Sequence, residues 1–330
     1  MISFGWDTET TLITQDRPVG QLVCVSYALG DQSGVLSLGD GVSLVREILE
    51  DPGIELVGHN LPYDFQALLG EAPDLEPLIW GAYDDGRVYD TLVAAWLDDI
   101  ARGCYQGSRK GAYTLAGLVA RYLGEHLQKE DTWRLRYGEL LGVPIEAWPQ
   151  EAISYATLDA VSPLRLRDTI KTVGEGDAPD LRRQCAHHWW LALTANHGIA
   201  TDPERVQALY SKILEESTEL VRALVPLGWV SVDHKGIHRH PSVVQKYIKS
   251  QGYPIKQTKK GGVSIDAEAC EMSGDPVLGK YARLSRLLDC INKDSEYLSR
   301  PFVRCSYGLA ESGRSTSWGP NLQNLKTENY

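Results

Sequence analysis

Residues 4–10 read FGWDTET, and four scattered pieces of the chain acquire a common chemistry when gathered around them. Ile2, Phe4 and Trp6 alternate with smaller residues, the pattern of a buried strand, and Asp7, Thr8 and Glu9 stand at its C-terminal end. Side chains two apart on a strand share a face, so Asp7 and Glu9 point into one space. Two carboxylates in one space repel unless a cation lies between them, which makes the pair a candidate metal site. The D-x-E spacing recurs at Asp74–Glu76, Asp266–Glu268 and Asp294–Glu296, where a solvated acidic surface is the simpler reading. Position at a strand end and the partners downstream set Asp7 and Glu9 apart.

Residues 20–29 (GQLVCVSYAL) and 35–38 predict two further strands across the polar turn 30–34, giving an antiparallel meander of three. Residues 42–49 have helical spacing and 55–58 form a short apolar strand. In HNLPYDFQALL, residues 59–69, Pro62 marks a helix start. Asp64 falls in its first turn, where the helix dipole tolerates a carboxylate. Residues 87–99 and 113–123 carry apolar side chains three and four apart and predict helices. Strands followed by alternating helices indicate an α/β domain with a mixed sheet. Residues 150–172 predict a long amphipathic helix on which Tyr155 and Asp159, four apart, share a face. The same Y-x-x-x-D spacing at Tyr27 and Asp31 runs from a strand into a glycine turn and shares no helical face.

The chain has 330 residues, enough for two domains, and its charge divides unevenly. Residues 1–175 hold 27 Asp and Glu against 13 Lys and Arg, whereas the remainder holds 17 against 20. An acidic first half argues against a general nucleic-acid binder. It suits carboxylates that hold divalent ions, with a more basic second half that meets phosphates. Six cysteines without a C-x-x-C pair indicate free thiols in a reducing compartment, not a structural zinc. No signal peptide and no apolar run of membrane length appears, so a soluble, cytoplasmic protein with no membrane partner is expected. GEGDAP at 174–179 is the linker candidate. Beyond it, 181–196 and 203–224 predict helices, 229–240 a ribbon turning at 233–236, and 242–250 and 275–297 further helices. Residues 313–324 (GRSTSWGPNLQN) show no periodicity. His234, His238 and His240 are read as solvated or DNA-facing and not as zinc ligands, and Trp189 and Trp190 as interdomain core.

Asp7, Glu9, Asp64 and Asp159 thus offer four carboxylates, with Tyr155 one turn from the last. Oxygen-only ligands select hard ions such as Mg²⁺ or Mn²⁺. Two such ions roughly 4 Å apart activate water and stabilise the leaving oxygen of a phosphodiester. In order and spacing, DTE at 7–9, NLPYD at 60–64 and YATLD at 155–159 resemble the motifs of the DEDDy proofreading exonucleases of family A, polymerase I type, DNA polymerases. The resemblance implies an α/β, ribonuclease H-like exonuclease domain at 1–175, a mainly helical thumb-like region at 176–302 and the beginning of a palm at 303–330. It implies two divalent ions, with Asp7 bridging both, Glu9 and Asp159 completing the first site and Asp64 reaching the second through water. Tyr155 is then the residue that orients the attacking water, Asn60 helps fix the substrate end, and Leu12 or Ile13 wedges against the terminal base.

The resemblance continues through NHGIATD at 196–202, the thumb-like residues 241–268 and GRSTSWGPNLQN, where Arg314, Asn321, Gln323 and Asn324 are expected on primer or template. Trp318 and Gly319 depart from the family's usual Ser and Asp, and Lys326 stands where Pro is common. No segment resembles the remaining palm carboxylates or the fingers helix. A phage-like polymerase portion that does not extend primers alone is therefore expected, completed by a second polypeptide carrying palm and fingers or by continuation of the chain. Its tail is expected to dock loosely. The competing readings are a free-standing RNase D-like exonuclease and an inert subunit that clamps DNA. The expected partners are single-stranded 3′ ends and primer–template DNA. The polar segment with Lys256, Lys259 and Lys260 is expected to supply salt-sensitive contacts to its backbone. Replacing all three with Ala should weaken primer–template binding and flatten its salt dependence, measured by titration at several ionic strengths. An unchanged salt slope would show that the lysines do not touch DNA.

Overall fold

The computed structural model describes residues 1–14, 18–107, 111–127, 133–174, 176–234, 236–253 and 263–324, with backbone alone at 291–297 and 324. Lys256, Lys259 and Lys260 lie outside the described residues. The chain divides into two compact units, Met1–His197 with Ser306–Trp318, and Gly198–Cys305 with Gly319 onward.

The first unit begins with β1 (Ile2–Thr10), β2 (Leu22–Leu29), β3 (Gln32–Ser37), α1 (Leu38–Glu50), β4 (Ile54–Gly58), α2 (Leu61–Glu71), α3 (Glu76–Asp84), β5 (Val88–Asp90) and α4 (Thr91–Ala101). It continues with the single turn α5 (Leu115–Leu118), which widens into a π turn at Val119–Leu123, then α6 (Gln150–Val173) and α7 (Leu181–His197). The sheet order is β3-β2-β1-β4-β5. β2 runs antiparallel to β1 and β3, whereas β1, β4 and β5 are parallel. This is the mixed sheet of an α/β, ribonuclease H-like domain. Gly30 adopts φ 58°, the left-handed conformation that a tight hairpin needs.

β1 is central, and its two faces do different work. Phe4 and Trp6 are fully buried on one face. Trp6 meets Phe65 of α2 at 5.0 Å between ring centroids, and Phe65 meets Tyr83 of α3 at 5.7 Å and Trp189 of α7 at 5.8 Å. Each such ring removes a large apolar area from water, and edge-on pairs add about 0.5–1.5 kcal/mol. Gly5, Asp7 and Glu9 lie on the other face, beneath α6. A Cβ at Gly5 would stand 2.5 Å from the carbonyl oxygen of Ala160 and 2.7 Å from Leu164. Only the bare glycine lets α6 approach this closely.

The second unit holds β6 (Ile199–Ala200), α8 (Pro203–Leu224), β7 (Val230–Asp233), β8 (Gly236–Arg239), α9 (Pro241–Gln251), α10 (Ala267–Met272), α11 (Pro276–Leu298) and β9 (Phe302–Val303). β6 pairs antiparallel with β9, and Leu224, Trp229, Val244, Leu278 and Tyr281 anchor its core. β10 (Ser306–Leu309) and β11 (Ser315–Trp318) form a hairpin within the first unit.

Several expectations need correction. Residues 87–99 are not one helix: Val88–Asp90 pairs with Leu56–Gly58 as a strand, and Asp90 caps α4 by accepting from the Leu92 N–H. Three residues are too few to show an alternation. Residues 113–123 begin their helix after Thr114, whose hydroxyl accepts from the Gly117 N–H. Within 313–324, Ser315–Trp318 is a strand. The compact units part at His197/Gly198, because Leu181, Cys185 and Trp189 of α7 pack into the first core. Trp189 is therefore core of the first unit, and Trp190 is exposed.

Gly5→Ala should lower stability by about 1–3 kcal/mol, the usual range for forcing atoms into a filled core. Urea denaturation of both proteins checks this. Equal midpoints would mean that α6 is not seated against β1 as described.

Candidate active site

Asp7, Glu9 and Asp159 each place a carboxylate oxygen within 4.8 Å of the other two. β1 supplies the first two from the face that α6 covers, and α6 supplies the third. Asp7 pairs with Ser26 and Glu9 with Cys24 across the sheet, and the register shifts between Glu9 and Thr10. Such irregularities re-aim side chains where a strand leaves a sheet. Pro163, four residues after Asp159 in α6, has no N–H to return to the Asp159 carbonyl.

Asp64 stands outside this trio. Its Oδ1 accepts from the Thr8 N–H at 2.9 Å and from the Thr8 hydroxyl at 2.6 Å. Thr8 points to the α2 side of β1, so consecutive residues of one strand fix one carboxylate and present another. The Asp7 carboxyl is pushed well above the usual range by enclosure in the protein, then by Asp64, Asp159 and Glu9. Burial lifts Asp64 from the usual 3.8 to about 7, against the lowering effect of both Thr8 bonds. Carboxylates that burial and, at Asp7, neighbouring carboxylates disfavour in the charged form are stabilised in that form by a divalent cation. The donor set is oxygen-only and closely gathered, which fits a hard ion.

Tyr155 lines the same cleft of about 550 Å³, with Asp7, Asp159 and Asn60. Its phenol is held well above the usual tyrosine range by burial, then by Asp159 and Glu9, and stays protonated. Tyr137 flanks it at 6.2 Å between rings and donates to the Ala152 carbonyl at 2.7 Å. Asn60 occupies the N-cap of α2 with φ 62° and no side-chain capping bond. That geometry sets aside the reading of Asn60 as a capping side chain.

The N-terminus of α2 is instead capped by Asp90, which sequence reasoning missed. Its oxygens accept from the N–H groups of Asn60 at 2.9 Å, Leu61 at 3.1 Å and Leu92 at 2.9 Å. One buried carboxylate thereby ties two helix starts together. Burial works to raise this carboxyl, but His188, His59 and the Asn60 N–H outweigh it and hold it below the usual range. His188 of α7 lies 3.4 Å away and also lines the cleft, as does His59, whose pKa burial lowers to about 4. Arg134 lines the cleft too and acts against the rise of the Tyr155 pKa. YDT before a helical run is a capping signal for Asp90; no sequence pattern singles out His188 or Arg134.

The other expected residues are dispersed. Leu12 and Ile13, each 60% exposed, follow β1 directly. Arg314 is exposed at the turn of the β10–β11 hairpin in the first unit. Asn321 and Gln323 are exposed in the second unit, and the side chain of Asn324 lies outside the described part. His238 contacts Asp233 and His240 contacts Ser231, each at 2.9 Å, so two of the three imidazoles serve their own ribbon.

A five-stranded mixed sheet thus gathers three carboxylates beside its central strand in an α/β domain. The chain belongs to the 3′–5′ exonuclease family of the DNA polymerase A type, whose family model matches residues 1–175. Exonuclease domains of this kind use divalent metals. Among solved structures, the chain is similar to the POL domain of Pol1 from M. smegmatis in complex with DNA primer-template and dNTP. The identity is 20%, the TM-score 0.67, and the match covers 99% of this chain and 53% of that one. At this identity the likeness concerns the fold, and the chain spans about half the length of that relative. No curated protein matches the chain. No described helix is long and apolar enough to cross a membrane.

The raised carboxyls have a measurable consequence in the metal-free protein. Asp7 and Asp64 bind protons more tightly folded than unfolded, so their contribution is fully present below about pH 4; that of Asp64 is lost as pH rises through about 7, and that of Asp7 as pH rises through its own raised pKa. Thermal melts in EDTA should show Tm falling from pH 5 to pH 8, and Mn²⁺ at pH 8 should restore it. A Tm in EDTA that rises across this interval would contradict the described crowding.

Proposed function

We propose that the first unit is a DEDDy-type 3′→5′ exodeoxyribonuclease of the proofreading kind, releasing 5′-mononucleotides from single-stranded 3′ DNA ends. The observation that carries the reading is the approach of Asp7, Glu9 and Asp159 within 4.8 Å of one another in a cleft shared with Tyr155. An unused site has no physical reason to keep carboxylates that repel one another. In this reading Asp7, Glu9, Asp64 and Asp159 hold two divalent ions, Mg²⁺ or Mn²⁺. Bound there, the ions lower the pKa of water and offset charge on the phosphodiester as its bond to the 3′ oxygen breaks.

The remaining work falls to the chain's own groups. Tyr155 keeps its proton, so it donates a hydrogen bond and orients the attacking water without acting as a base. Asp64, pinned through Oδ1 by Thr8, keeps Oδ2 for a more distant ligand. Asn60, its side chain not spent on the helix, binds the terminal nucleotide, and its backbone is fixed by Asp90. Leu12 or Ile13 wedges against the terminal base, and Arg134 brings positive charge toward the phosphates. Duplex ends react more slowly because they must fray first. The second unit, with Asn321, Gln323 and Asn324, and Arg314 of the hairpin are read as primer–template contacts of a family A polymerase. In that reading this chain does not extend primers alone and acts with palm and fingers elements.

Asp7→Ala should abolish hydrolysis of a 5′-labelled single-stranded oligonucleotide. Tyr155→Phe should slow it about 10- to 1,000-fold through kcat with metal affinity retained. Equal rates for the parent and Asp7→Ala, in preparations free of other nucleases, would reject the assignment.

A further inference from the structure

We propose that the β10–β11 hairpin forms part of the nuclease cleft, with the indole of Trp318 as the surface on which a base of the single-stranded substrate stacks. The inference rests on the nuclease reading above and adds to it a residue and a contact.

The hairpin lies far along the chain from the carboxylates, yet it belongs to the same compact unit. It is anchored there: Leu309 and Ser317 are buried, and the Tyr105 hydroxyl donates to the Leu309 carbonyl at 2.6 Å. Trp318 contrasts with these, being 51% exposed. Trp318 and Tyr307 both line the cleft that holds Asp7, Asp159, Tyr155 and Asn60. A large ring left half in water beside carboxylates is poorly explained as core.

The indole has a built seat. Ser306 pairs with Trp318 across the hairpin, and Gly308 stands two residues along from Ser306. A Cβ at Gly308 would come within 2.8 and 3.0 Å of two Trp318 ring atoms, and within 4.0 Å of Trp96. The ring therefore lies against the bare backbone of Gly308 while half of its surface remains in water. An immobilised aromatic surface suits a nuclease that must accept any terminal sequence. Every base has a π face, and stacking on an aromatic side chain is tolerant of base identity while hydrogen-bonded readout is not. Nothing in this contact touches the scissile bond, so Trp318 acts on substrate affinity and position, not on the chemical step.

The test measures binding of a short 5′-fluorescein-labelled single-stranded oligonucleotide to the full chain by anisotropy in EDTA, alongside steady-state hydrolysis with Mg²⁺. Trp318→Ala should weaken binding about 5- to 100-fold, the range of one lost base–aromatic stack, and raise KM with kcat nearly unchanged. Trp318→Phe should retain most of the affinity, and Trp318→Leu, apolar without a π face, should not. Gly308→Ala, which keeps the indole and removes its seat, should also weaken binding. Moving a single abasic site along the oligonucleotide should reveal one position that costs the parent protein affinity but costs Trp318→Ala none.

Unchanged binding by Trp318→Ala overturns the proposal. So does equal loss in the Phe and Leu variants, which marks a structural role, or an abasic penalty that is the same with and without the indole. Absence of hydrolysis by the parent chain overturns the nuclease reading itself. It is told apart because the binding comparison does not depend on turnover.

Discussion

The contact on which the site depends is the seating of α6 against Gly5 of β1. The side chains on that face of the strand are Gly5, Asp7 and Glu9 in sequence, and the first decides how close the helix carrying Asp159 comes to the other two. With a hydrogen atom in place of a side chain, the Ala160 carbonyl rests over the strand. Asp159, one residue earlier on the helix, then joins Asp7 and Glu9 within 4.8 Å. The fold spends stability to bring like charges together, a cost that functional sites impose on otherwise consistent structures.

Two supports offset that cost. Behind the strand, Trp6, Phe65, Tyr83 and Trp189 form a continuous aromatic cluster that holds α2, α3 and α7 against the sheet. At the strand's end, Thr8 binds Asp64 and Asp90 binds the first N–H groups of α2. The carboxylates are thus oriented by packing and by hydrogen bonds to the protein's own groups. A site whose ligands are held by the scaffold in this way is preorganised in the physical sense. The left-handed backbone of Asn60 belongs to the same construction, since only the Asp90 cap releases its side chain from the helix end.

Much of this was legible in the sequence, for identifiable reasons. The alternation through Trp6 exposed the central strand, and the four-residue spacing of Tyr155 and Asp159 placed both on one helical face. Pro203–Leu224 was read with its true limits because its apolar periodicity runs uninterrupted. What escaped depends on tertiary contact. β5 has three residues and no period to detect. Asp90 and His188 are far apart in sequence and meet only when α7 packs against the sheet within the first unit. A polar stretch such as 174–179 does not show which core takes up the helix that follows, and it is Trp189 that packs α7 into the first unit. The Trp318 strand was hidden because alternation across Ser315–Trp318 involves small polar residues.

The central claim is that Asp7, Glu9 and Asp159 form a cation site by design of the fold. The most direct measurement is anomalous diffraction from crystals soaked in Mn²⁺, with Asp7→Ala crystals treated in parallel. The account predicts a strong anomalous peak in contact with carboxylate oxygens of Asp7, Glu9 and Asp159 in the parent protein, and its loss in the variant. Ordered carboxylates with no peak at saturating Mn²⁺, or a peak that persists unchanged without Asp7, would contradict it.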